Sequence, residues 1–140
     1  MAIAGTAPQH EEEVGGKVRR LALRNGEIER FEAQYAPFGV FELWDQLTGR
    51  RSPPQARHIR DLVALALVGG GMSDRAADEL VASLPPSENF SLHGIAFRAL
   101  GGAFFPVEVE AAKKSDGSHS PGSSDPVDMM PEAESETSSE

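Results

Sequence analysis

Apolar residues recur at helical spacing in several segments of the chain, and the most heavily apolar segment lies in the middle. Within residues 52–84, SPPQARHIRDLVALALVGGGMSDRAADELVASL, Ile59, Leu62, Val63, Ala66 and Leu67 follow a 3.6-residue period. Ala64, Leu65 and Val68 carry the apolar surface around most of the C-terminal half, so this helix belongs inside a core. Ser52 with Gln55 three positions later reads as a capping box, and Pro53 suits a first turn that needs no amide donor. Gly69, Gly70 and Gly71 are expected to end the helix by offering positive φ without steric cost. Ser73 then caps a further helix with Asp74 beside it, and Ala77, Leu80, Val81 and Leu84 form a narrow stripe that stops at Pro85 and Pro86.

The same period marks three more helices. Asn25 and Gly26 open one in which Glu27 and Glu29 favour the first turn and Ile28, Phe31 and Tyr35 share a face. Pro37 separates it from a second, in which Val40, Leu43, Trp44 and Leu47 form a stripe ending at Gly49. The last runs from Ser87 or Asn89 to Phe104, with Leu92, Ile95, Ala96, Ala99 and Ala103 inward, Phe97 and Phe104 nearby, and Pro106 as its end. Ahead of the helices, residues 17–23 (KVRRLAL) alternate as a strand, with Leu21 and Leu23 on one side and Arg20 and Ala22 on the other. Gly15 and Gly16 offer the turn of a hairpin whose first arm is residues 11–14. Three consecutive glutamates make that arm a poor strand, so it is expected to pair only at its end or not at all.

These elements predict a mainly α protein: a small bundle of about five helices with a short N-terminal β-hairpin. The expected organisation is a flexible N-terminus over residues 1–12, a helical domain over 13–106 and a disordered acidic tail over 107–140. In the tail, only Val127, Met129 and Met130 interrupt a run of Ser, Glu, Pro and Gly, as an inert solvated stretch or a short docking segment. Charge divides the same way. Residues 1–105 hold 11 Lys plus Arg against 13 Asp plus Glu, whereas residues 106–140 hold 2 against 9. A nearly neutral domain with an acidic tail has no electrostatic footprint for nucleic acid or anionic membrane. With no cysteine, disulfides and thiolate metal sites are excluded. The most apolar window, residues 62–68, is far too short to span a bilayer, and a cytoplasmic location is expected.

Catalytic chemistry finds no footing. His10, His58, His93 and His119 lack metal-ligand spacing, and a structural role is expected for His58. No nucleophile elbow accompanies the serines. The glycine triplet follows a helix and brings no lysine, so it is a cap rather than a phosphate loop. A helix-turn-helix reading fails on sign, because the second helix presents Asp74, Asp78 and Glu79 against Arg75. No enzyme, cofactor or metal is expected. The unusual feature is aromatic: Phe38, Phe41 and Trp44 stand at i, i+3 and i+6 and so line one side of the second helix, next to the core stripe. They either fill the core or form part of a groove for a partner helix.

The order LALRNGEIERFE, short aromatic helix, RHIRDLVALALVGGG, SDRAADELVASL and a last helix ending in FFP resembles the gene transfer agent family of phage tail-assembly-chaperone-like proteins, over about residues 13–106. That resemblance implies a non-enzymatic protein that binds the hydrophobic helices of the tape-measure protein and aids recruitment of the tail-tube protein. The family also carries the label of tail tube protein, so a structural tail subunit is the alternative, and a small helical regulatory binding module is a third. Relatives usually show a fuller first strand, and the acidic tail is a further departure. On this reading Phe38, Phe41 and Trp44, with Phe97 and Phe104, contribute to the partner groove.

Overall fold

A computed structural model of the chain describes residues 10–106. The expectations for residues 1–9 and 107–140, including the docking segment around Met129, lie outside the described residues. Two strands, β1 (His10–Val14) and β2 (Lys17–Leu21), precede five helices: α1 (Asn25–Tyr35), α2 (Val40–Leu47), α3 (Ala56–Gly69), α4 (Asp74–Ala82) and α5 (Asn89–Phe104). The mainly α bundle with an N-terminal hairpin read from the periodicity is therefore the fold.

α3 is the centre of it. All six residues 62–67 are buried, and α1, α4, α5 and β2 each pack against α3. Its start differs from the expected one: the helix opens after Gln55, and Ser52 caps nothing. The cause is the Pro53-Pro54 pair, because a residue before proline is pushed out of the α region and Pro53 cannot serve as a first helical turn. His58 and Ile59 donate their backbone amides to the Gln55 carbonyl instead.

The end of α3 also has a different cause from the expected one. Only Gly71 has positive φ, at 121°, while Gly70 stays in the right-handed region. Gly69 and Gly70 are small because β2 lies against them: a Cβ on Gly69 would stand 1.9 Å from the Ala22 carbonyl oxygen, and one on Gly70 2.0 Å from that of Arg20. This close approach lets the Ala22 amide donate to the Ala66 carbonyl at 3.0 Å, tying the end of the hairpin to the central helix.

The hairpin is fuller than three glutamates suggested. β1 pairs along its whole length with β2, from His10 opposite Leu21 to Val14 opposite Lys17. Residues 10–12, assigned in advance to a flexible N-terminus, belong to this strand. In the register Glu11 stands opposite Arg20 and Glu12 opposite Arg19, so no glutamate faces another acid, and the Arg19 guanidinium donates to the Val14 carbonyl at 3.1 Å. Arg98 of α5 also donates to both carboxylate oxygens of Glu12, at 2.8 and 3.0 Å, which fastens the hairpin to the bundle and raises the Arg98 pKa through that hydrogen bond. Regular alternation ends at Leu21, and Leu21, Ala22 and Leu23 are all buried.

Helix starts are set by local hydrogen bonds. Glu27 reaches back to the Arg24 amide at 2.8 Å and Glu42 to the Gly39 amide at 2.9 Å. Glu27 is itself buried, and the Arg24 guanidinium, donating through Nε and Nη2, holds its carboxyl below the usual carboxylate range. Ser73 accepts from the Ala76 amide as expected. Arg60 of α3 donates to the carbonyls of Val81 and Leu84 and, at 2.7 Å, to Asn89 Oδ1. One side chain thus satisfies carbonyls at the end of α4 and holds the start of α5. Leu100 replaces Ala103 among the fully buried residues of α5, and Ala103 is half-buried.

Candidate aromatic binding face

Aromatic residues gather in two places, and the division separates residues that the sequence placed together. Phe38 does not lie on the α2 face, because Gly39 is the cap and the helix begins at Val40. From the connection after the cis Ala36–Pro37 bond, the Phe38 ring stacks on His58 at 4.5 Å and lies 6.3 Å from Phe31. Tyr35 meets the same imidazole edge-on at 4.5 Å. His58 is 5% exposed, and its Nδ1 has no hydrogen-bond partner among the described residues.

This first cluster is closed and has structural chemistry. The Tyr35 hydroxyl donates to Asp61, to which Gln34 also donates at 3.2 Å, while Arg57 lies 5.4 Å over the Tyr35 ring. Burial, then the Asp61 carboxylate, pushes the Tyr35 pKa up to about 12. Burial, then the Arg57 charge, pushes His58 below its ordinary value against the opposing influence of Asp61. Imidazole and phenol are accordingly neutral at pH 7, and neither is presented to solvent as a base.

The second cluster joins α2 to the C-terminal half of α5 and is open. Trp44 lies parallel to Phe97 at 5.5 Å and meets Phe104 edge-on at 5.7 Å. Phe41 stacks on Phe104 at 5.4 Å, and Phe105 approaches Trp44 at 5.8 Å. Gly101 makes the seat for Trp44, whose ring would stand 3.3 Å from a Cβ there. Phe41 is nevertheless 72% exposed, Phe97 42% and Phe105 45%. Phe41, Trp44, Phe104 and Phe105 line a cleft of about 440 Å³ whose polar edge is Asp45 and Arg50, paired at 3.6 Å.

Four of the five expected partner-binding residues, Phe41, Trp44, Phe97 and Phe104, thus come together, and Phe38 stands apart. Sequence reasoning noted Phe105 beside Phe104 at the helix end without assigning it to the partner face, and missed Asp45 and Arg50. The Phe104-Phe105-Pro106 end was a usable signal for Phe105, since two large rings beside a helix stop cannot both point inward. Nothing in the period of α2 marks Asp45 or Arg50.

The arrangement presents apolar surface with a polar edge. Among the described residues no group of three or more His, Asp or Glu side chains is placed to hold a metal. Arg24, Glu27 and Arg98, which also have displaced pKa values, are held in ion pairs. Among the described residues no helix is long and apolar enough to cross a membrane. No family model, curated protein or solved structure matches the chain.

Proposed function

We propose that this protein is a non-enzymatic helix-binding protein of phage-like tail assembly, whose α2–α5 face receives an apolar helix of the tape-measure protein. The observation that carries the reading is the open aromatic cleft formed by Phe41, Trp44, Phe104 and Phe105. Exposed apolar surface concentrated in one rimmed patch marks an interaction site, and amphipathic helices bind in such grooves through residues one turn apart. The ion pair at the edge leaves the rim polar, which suits reversible capture better than permanent burial. The tape-measure and tail-tube proteins enter as partners through the resemblance over residues 13–106.

On this reading the protein covers the hydrophobic helices of the tape-measure protein until tail-tube subunits displace it. Co-expression with a phage-like tape-measure protein tests this directly. The native chain is expected to keep the tape-measure protein soluble and to co-purify with it, whereas Phe41→Ala with Trp44→Ala, folded by circular dichroism, loses both effects. Unchanged capture by that folded double variant refutes the cleft as the binding face. Assembly of the purified chain into rings or tubes that persist in finished particles replaces the chaperone role with a structural one.

A further inference from the structure

Helix α5 ends in the wall of the aromatic cleft. Phe104 and Phe105 both line it, the Phe105 amide closes the last turn on the Gly101 carbonyl at 2.8 Å, and the described residues stop one position later at Pro106. Residues 107–140 therefore begin beside the apolar surface of Phe41 and Phe105, whose rings are 72% and 45% exposed. In that stretch Val127, Met129 and Met130 are the largest group of apolar side chains, set between Pro126 and Pro131.

We infer that residues 126–131 (PVDMMP) are the cleft's intramolecular occupant, covering Phe41, Trp44, Phe104 and Phe105 until a helix displaces them. The inference rests on the reading of this cleft as the helix-binding face and supplies its regulation. Chain length permits the contact: residues 107–125 can span up to about 60 Å, and the cleft lies at their first residue. The chemistry fits as well. Methionine is unbranched and polarisable, fills irregular gaps and makes favourable contacts between its sulfur and aromatic rings, and rings form the whole apolar lining here. The rim is balanced in charge, since Arg50 stands 3.6 Å from Asp45 and Arg51 3.5 Å from Glu42, so Asp125, Asp128 and Glu132 meet no excess of negative charge. Apolar contact, not charge, then holds the segment.

A tether of this length keeps the segment at an effective concentration on the order of 1 mM. With a Kd of about 0.1 mM it leaves the cleft free about one-tenth of the time, so a competing helix binds about tenfold more weakly. Acrylamide quenching of Trp44, the chain's only tryptophan, is the test in the full chain at about 5 µM. Met129→Ser with Met130→Ser is expected to raise the quenching constant at least about 1.5-fold and to tighten binding of a tryptophan-free tape-measure helix peptide about fivefold. Both residues lie outside residues 10–106, so circular dichroism and the unfolding midpoint are expected to be unchanged. Equal quenching in the two chains overturns the inference, and helix binding by both of them at equal affinity overturns it while leaving the helix-binding reading intact. Shielding that grows with concentration from about 5 to 500 µM assigns the segment to a second copy and overturns the intramolecular contact. Different quenching with no helix binding by either chain supports the contact and refutes the helix-binding reading.

Discussion

Replacing Gly69 by alanine tests why the glycine triplet is there. In an ordinary helix the change stabilises by about 1 kcal/mol, because alanine loses less backbone freedom than glycine. Here the new Cβ would stand 1.9 Å from the Ala22 carbonyl oxygen, against a working minimum of 3.0 Å, so β2 and α3 must part by at least 1.1 Å. The Ala22 amide to Ala66 carbonyl bond, now 3.0 Å, would open beyond hydrogen-bonding range if the separation is shared along the contact. A buried amide left unpaired costs about 1–3 kcal/mol and overpacking a further 1–3 kcal/mol. Set against the propensity gain, the net loss is about 1–5 kcal/mol. Gly102→Ala is the control, because it lies in α5 with nothing within 4 Å of its Cβ, and a gain of about 0.5–1 kcal/mol is expected. Urea unfolding with linear extrapolation measures both. Gly69→Ala as stable as the native chain would refute the close-approach argument and return the triplet to a simple helix stop.

Arg60→Met removes the donor shared by the Val81 and Leu84 carbonyls and Asn89, and is expected to cost about 2–3 kcal/mol in the same unfolding assay; a loss below about 0.5 kcal/mol would show that water replaces it without penalty. Phe38→Ala is expected to cost about 2 kcal/mol, as a half-buried ring removed from His58 and Phe31, while Phe41→Ala costs less than about 0.5 kcal/mol. Equal costs would deny the division of the aromatics into a core cluster and a surface face. His58 binds its proton less readily folded than unfolded, so its contribution to stability is complete above the unfolded pKa of about 6.5 and declines as pH falls below it. Unfolding free energies measured between pH 7.5 and 5.5 are expected to drop in the native chain and to drop less in His58→Gln; parallel profiles would exclude the imidazole as the source.

The helical stripes were legible because each of these helices buries one face and the period records it. Phe31, Leu43, Leu62, Ala77 and Leu92 are all at or near zero exposure in the elements where their spacing placed them. What escaped the reading depends on contacts between segments distant in sequence. The pairing of β1 sets Arg20 and Arg19 opposite two of its glutamates and brings Arg98 to Glu12 from the far end of the chain, and none of this is visible in a run of three glutamates. Gly69 and Gly70 carried the right residue type for a reason that only the position of β2 reveals. The α3 start was misplaced for a local reason, since the second proline of Pro53-Pro54 excludes the first from a helical turn. At the aromatic face of α2 and α5, spacing brought Phe41 and Trp44 onto one side of α2, but extending the same line to Phe38 assumed a helix that Gly39 had not yet begun. The contribution of α5 to that face could be named from Phe97 and Phe104, while its junction with α2 depended on the Gly101 seat for Trp44.

Trp44 is the chain's only tryptophan and sits within the proposed face, so its fluorescence reports directly on whether a helix binds there. Titration of the full chain with a tryptophan-free peptide carrying an apolar helix of the tape-measure protein is predicted to shift the emission to shorter wavelength and to saturate. Phe41→Ala should weaken that response at least fivefold. A peptide that binds, by calorimetry, without altering Trp44 emission, or one that does not bind at all, would contradict the assignment of the α2–α5 face as the site of helix capture.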